Sequence, residues 1–146
     1  MTYGKVTDTT YLIRLERGEE VVATLKSFCL KENIKNGEVR GIGSIETPTL
    51  AHYRVDNKKY SEKELPGTFE VTSLLGTVAL ANNEALLHLH ITLGNEQMQS
   101  FGGHLVKGIV SATLEMTLTV YPSEFSKSHS EEIGLNLYDL PEKHQA

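Results

Sequence analysis

The segment Thr113 to Tyr121 alternates Leu114, Met116, Leu118 and Val120 with Thr113, Glu115, Thr117 and Thr119. A period of two fits a strand that buries one face and leaves the other polar. The run Leu86-Leu87-His88-Leu89-His90-Ile91-Thr92-Leu93 repeats the pattern, with Leu87, Leu89, Ile91 and Leu93 on one side and His88 with His90 on the other. Two such strands predict a sheet packed on one side and open on the other to solvent, a ligand or another subunit. The packing partner is a helix from Glu19 to about Asn33. There Val21, Val22, Leu25, Phe28 and Cys29 recur at helical spacing, Glu19 and Glu20 stand at the positive end, and Asn33 with Gly37 closes the segment.

The remaining elements follow from β-forming runs and their punctuation. Thr9 to Leu15 is an opening strand, Val39 to Ile45 a second, and Leu50 to Val55 a returning strand. Asp56 to Gly67, with charges, Asn57, Pro66 and Gly67, is a loop or an exposed hairpin. Phe69 to Leu80 is a long strand joined to the histidine strand through Ala81-Asn82-Asn83-Glu84, and asparagines tolerate the backbone of tight hairpin turns, so the two pair antiparallel. Gly94 to Gly103 is a polar connection, and Ser126 to Ser130 a polar loop before a short apolar run, Ile133 to Leu140, with His129 and His144 solvated. Residues 1–146 form one domain with a core from about residue 9 to 140 and a polar tail.

Composition narrows the function classes. A chain of 146 residues with 39% hydrophobic and 23% charged content is globular, and no apolar run approaches the roughly 18 residues of a membrane span. Met1 to Thr10 lacks an export or organelle signal, so a cytoplasmic location is expected. Cys29 is the single cysteine and falls on the helix's apolar stripe; it is expected to be a buried structural thiol, and a thiolate metal cluster within one chain is excluded. Net charge is −5, with Lys and Arg scattered apart from Lys58-Lys59, which opposes direct nucleic-acid binding.

Within those bounds the histidines carry the sharpest chemistry. His88 and His90 project from one strand face, and His104, arriving through a Gly102-Gly103 turn, would complete a triad of nitrogen ligands with a position open for water or substrate, as in catalytic zinc. Spacing leaves a second reading, in which His88 and His90 are polar residues on a wet face and His104 is an unrelated loop residue. Zinc is favoured by availability, and other divalent transition metals suit imidazole as well. A metal there would lower the pKa of bound water toward about 7, with Glu115 the candidate general base and Arg14 an anion-orienting group. The alternative for both is a solvated or paired surface residue. Gly41-x-Gly43 lacks the third glycine and following helix of a phosphate loop, so a bulge or close backbone approach is expected. Phe69, Val71, Leu74 and Leu75 serve either a subunit interface or the core, with at least half assigned to the core.

Several strings, taken in order, resemble a known family. They are Arg14 followed by Gly18, Gly41-Ile42-Gly43-Ser44, Gly67-Thr68-Phe69-Glu70-Val71 with Ser73-Leu74, the histidine strand, Gly102-Gly103-His104-Leu105 and Thr113-Leu114-Glu115. From about Arg14 to Tyr138 the chain is similar to the plants-and-prokaryotes conserved (PPC) domain. The resemblance implies an α+β fold with an antiparallel sheet and one main helix, assembled as a homotrimer. It implies a metal, as in some prokaryotic members, held by His88, His90 and His104; the open position of such a site makes a small-molecule ligand at the metal a further expected partner. It also brings a DNA-binding label, although this chain has no Arg-Gly-Arg-Pro hook or basic arm of the kind that serves the plant relatives.

Overall fold

In the computed structural model, which describes residues 1–81 and 84–141, the chain opens with an antiparallel hairpin of β1 (Thr2–Thr7) and β2 (Thr10–Glu16). All six residues of β1 are exposed, so the strand has no apolar period for the sequence to reveal. Helix α1 (Val21–Lys31) follows, and Glu20 caps it by accepting hydrogen bonds from the amides of Val22 and Ala23. The same carboxylate accepts a third bond, from the Gly108 amide at 3.0 Å, which ties the helix start to a distant strand. Val21, Leu25, Phe28 and Cys29 are buried along one face as their spacing requires. Asn33 takes a left-handed backbone (φ 52°), and the Ile34 amide then reaches the Cys29 carbonyl at 2.8 Å to finish the helix. Gly37 is not part of that stop: it opens the next strand.

That strand, β3 (Gly37–Arg54), corrects the expectation of two strands separated by a break. Around Thr47-Pro48 the register shifts and Thr47 adopts φ 46°, but the chain bends without leaving the sheet. Before the bend β3 pairs with β5 (Thr68–Ala81); after it, with the exposed strand β4 (Lys59–Glu64), so the segment expected as a loop or a hairpin of its own supplies one strand of a hairpin with β3. Strands β5 and β6 (Glu84–Gly94) pair antiparallel; the turn expected at Asn82-Asn83 lies outside the described residues. Strand β7 (Ser100–Val120) is also longer than its alternation suggested. Its second half lies between β2 and β3 and its first half between β6 and β3.

Because β7 pairs with β3 as well as β6, the ladder β3-β5-β6-β7 closes on itself. Every pairing is antiparallel. Leu89, Ile91 and Leu93 of β6, Leu114, Met116 and Leu118 of β7, and Val39, Leu74 and Val78 meet α1 in one core. Closure demands close backbone approach, which explains the glycines of β3: a Cβ at Gly43 would overlap the Thr113 carbonyl oxygen, and the register shifts between Gly41 and Gly43. Phe69, Val71 and Leu74 belong to the core, whereas Leu75 is 57% exposed. The polar segment read as a loop is strand β8 (Lys127–Ser130), paired with β9 (Leu135–Tyr138) in a separate hairpin. His144 lies outside the described residues. Among those residues no helix is long and apolar enough to cross a membrane.

Candidate metal centre

His88 and His90 stand on the outer face of β6 because Leu89, Ile91 and Leu93 occupy the inner one. Pairing brings the third imidazole beside them: His104 of β7 lies directly opposite His90. The Gly102-Gly103 pair therefore does not turn the chain, as expected from sequence, but runs inside β7. A Cβ on Gly103 would stand 3.0 Å from the Ala51 carbonyl oxygen, so small residues let β7 fit between β6 and β3 at the point where it delivers His104.

The three rings form a nearly regular triangle, with centroids 5.0, 5.4 and 5.6 Å apart. One nitrogen from each lies within 4.8 Å of the others, and Nε2 of His88 is 3.2 Å from Nε2 of His90. Tetrahedral zinc with Zn–N bonds of about 2.0–2.1 Å needs nitrogens roughly 3.4 Å apart, so the donor set fits with small ring rotations. Partial burial, with lesser contributions from the Lys127, His90 and His104 charges, pushes the His88 pKa down to about 4. Burial first, then His90, lowers that of His104, against an opposing pull from Glu62. Both rings are thus neutral at neutral pH, the form that coordinates metal. Nδ1 of His104 is buried and has no hydrogen-bond partner among the described residues, which leaves its desolvation without an offset from them.

Side chains that sequence reasoning missed surround the triangle. The Tyr60 ring packs against His104 at 5.3 Å, and Tyr53 packs against Tyr60 at 4.9 Å. The Tyr53 hydroxyl donates to the Ile133 carbonyl at 2.8 Å, anchoring the β8–β9 hairpin. From that hairpin comes Lys127, only 8% exposed, with its ammonium 4.3 Å from the centre of the Tyr138 ring; burial lowers its pKa. No sequence signal marks Lys127, because Ser126 to Ser130 is polar throughout, and its aromatic partner is revealed only by the β8–β9 register.

A cavity of about 460 Å³ opens beside the histidines, lined by Glu38, Arg40, Leu75, Thr77, His88 and His90 among others. Arg40, Leu75, His90 and His104 occupy one continuous rung across β3, β5, β6 and β7. Arg14 and Glu115 lie elsewhere. They oppose each other across β2 and β7 and line a larger groove of about 750 Å³ with Tyr3, Leu12, Ile42 and Leu75. Following the pairing from Glu115 through β3 and β5 to β6 crosses three strand spacings, about 14 Å. The Arg14 guanidinium instead pairs with Glu16 at 3.0 Å, both half-exposed. The structure thus brings the three histidines together and leaves the two candidate catalytic residues in a separate, neighbouring groove.

The chain is thus an antiparallel α+β domain with a closed ladder and three clustered imidazoles on its outer face. Residues 2–122 match the family model of the Plants and Prokaryotes Conserved (PCC) domain, and the chain belongs to that family. Three solved structures are similar over nearly their whole length. A plant- and prokaryote-conserved (PPC) protein of Pyrococcus horikoshii is 32% identical, covering 97% of this chain and 96% of its own, with a TM-score of 0.85. A protein of Bacteroides thetaiotaomicron, provisionally named as DNA-binding, is 30% identical with a TM-score of 0.91, covering 94% of this chain and 96% of its own. A metal-containing protein of Archaeoglobus fulgidus is 25% identical with a TM-score of 0.83, covering 94% of this chain and 98% of its own. No curated protein matches this chain.

Proposed function

We propose that the protein is a metal-binding module, with His88, His90 and His104 as ligands to zinc or a similar divalent transition metal. The observation that carries this reading is the convergence of three ring nitrogens within 4.8 Å on the solvent side of the sheet. The metal-containing relative supports it. Three neutral imidazoles leave a coordination position for a small ligand, and zinc bound in such a site acts as a Lewis acid and acidifies water. Elemental analysis of protein purified without a histidine tag or added metal tests the proposal. About one metal per chain is expected, falling to background in the His88→Ala/His90→Ala/His104→Ala variant; less than one metal per three wild-type chains would contradict it.

The working unit is a homotrimer. Leu12, Ile42 and Leu75 are 56%, 64% and 57% exposed on the same outer face, where leaving large apolar side chains in water is unfavourable and a second copy would cover them. Light scattering near three chain masses is expected, and a mass near one chain removes the trimer. A DNA-associated role is favoured by the provisional names of two similar proteins, and the net charge of −5 opposes it. Phosphate-driven binding is strongest at low ionic strength, so no retention of duplex DNA is expected even there. Within one chain Glu115 lies in a groove that lacks the histidines, so an enzymatic role for the metal would draw its base from another residue or from a neighbouring copy.

A further inference from the structure

We propose that the cavity beside the histidines binds an α-amino acid with a carboxylate side chain, its ammonium on Glu38, its α-carboxylate on Arg40 and its side-chain carboxylate at the three-histidine end. The inference rests on the metal reading of that site and adds the class of molecule that it takes.

Strand register builds the cavity as a trough between two rows of side chains. Glu38 lies opposite Thr77, and Thr77 opposite His88, so one row crosses β3, β5 and β6. Two positions along each strand, Arg40, Leu75 and His90 make the second row. Residues two apart on a strand share a face, and all six line the cavity of about 460 Å³. The imidazoles stand at one end. Glu38 and Arg40 stand at the other, two strand spacings or about 10 Å across the sheet and roughly 7 Å from each other along β3.

These two side chains carry opposite charges and are not spent on each other. Among the described residues no ion pair within 4 Å includes either of them. One oxygen of Glu38 accepts from the Tyr121 hydroxyl at 3.4 Å, beyond the usual O–H···O range and so a weak claim on the carboxylate. An anion and a cation side by side at one end of a cavity match the ammonium and carboxylate of an amino acid, and charge-assisted bonds of this kind are the strong ones. Charge also decides against simpler ligands. A dicarboxylate would set an unpaired anion against Glu38, and a diamine would set cations against Arg40 and the metal; such like-charge contacts are how a site rejects the wrong partner. At the far end, a divalent ion on three neutral imidazoles has a position open for an anionic oxygen. Between the ends, Leu75, 57% exposed, offers an apolar wall to methylenes, and Thr77 lines the same stretch. The span, shortened by the reach of the side chains at both ends, suits a chain of a few carbons better than a bare inorganic oxoanion.

The test uses full-length protein loaded with cobalt(II) and freed of excess metal, with metal content and thermal melting checked for every variant. Wild type, Glu38→Gln and Arg40→Gln are each titrated with L-glutamate, with glutarate, which lacks the ammonium, and with 4-aminobutyrate, which lacks the α-carboxylate; calorimetry gives affinity and the visible spectrum reports a change at the metal. Wild type is expected to bind glutamate about tenfold or more tightly than either analogue. Glu38→Gln should abolish the preference over glutarate and keep that over 4-aminobutyrate, and Arg40→Gln should do the reverse. Glutamate bound no more tightly than both analogues, or preferences that the two variants leave unchanged, overturns the amino-acid class. Binding that leaves the cobalt spectrum unmoved overturns the placing of the side-chain carboxylate. Cobalt uptake with no response to glutamate overturns this inference alone, whereas a wild-type protein that takes up no cobalt fails earlier, at the metal reading itself, and this inference falls with it.

Discussion

The outer face of the sheet carries two neighbouring depressions, and the smaller one borders the three clustered histidines. The large groove, about 750 Å³, is floored by exposed Leu12, Ile42 and Leu75, with Arg14 engaged by Glu16. The small cavity, about 460 Å³, shares Arg40 and Leu75 with it but adds two of the three histidines. The difference lies in how each is supported. The histidines are fixed by strand register, backed by Tyr60 and Tyr53, and flanked by an anchored hairpin. The residues of the groove stand alone on a face suited to being covered. Volume identifies a surface, whereas converging donors with shifted protonation mark a candidate binding site.

Breaking the small cavity should have the largest effect. His104→Ala removes the ligand that only β7 supplies, and metal affinity should fall by more than about a hundredfold, beyond the usual cost of losing an outer-shell group; competition with a chromophoric chelator measures it. Next in size is Ile42→Glu combined with Leu75→Glu in the large groove. Light scattering should move from three chain masses toward one while each chain keeps its fold by circular dichroism. A smaller, graded effect comes from pH. In chelator-treated protein the His88 pKa of about 4 lies below its ordinary 6.5, so the unfolded chain binds the extra proton between those values. Stability is therefore fully present above about pH 6.5 and declines as pH falls toward about 4. The melting temperature should drop between about pH 7 and pH 5, and His88→Asn with His104→Asn should flatten that drop. The smallest effect is the sharpest contrast: Glu115→Gln should leave metal content unchanged and alter stability by no more than about 0.5 kcal/mol, as befits an exposed strand residue. A loss of metal in that variant would merge the two regions.

What could be read in the sequence was whatever a single element enforces on its own. Period two placed His88 and His90 together and away from the core, and period 3.6 placed Leu25, Phe28 and Cys29 on the buried face of α1. The close-approach reading of Gly41 and Gly43 also followed from local pattern, because a phosphate loop needs more than two glycines. What escaped was set by distant partners. Thr47-Pro48 and Gly102-Gly103 look like interruptions, yet both lie within long strands, one at a bend where β3 exchanges β5 for β4, the other where β7 fits against Ala51. Strand β1 is exposed on both faces and shows no apolar period. Lys127 and Tyr138 are brought together by the β8–β9 register, which no local pattern of Ser126 to Ser130 announces.

The most direct measurement is a crystal structure of untagged protein recorded above and below the zinc absorption edge, with the other first-row metals checked by fluorescence. The account predicts one anomalous peak per chain, bonded at about 2.0–2.1 Å to a nitrogen of each of His88, His90 and His104. No peak at that point, or a peak that His104 does not ligate, contradicts it.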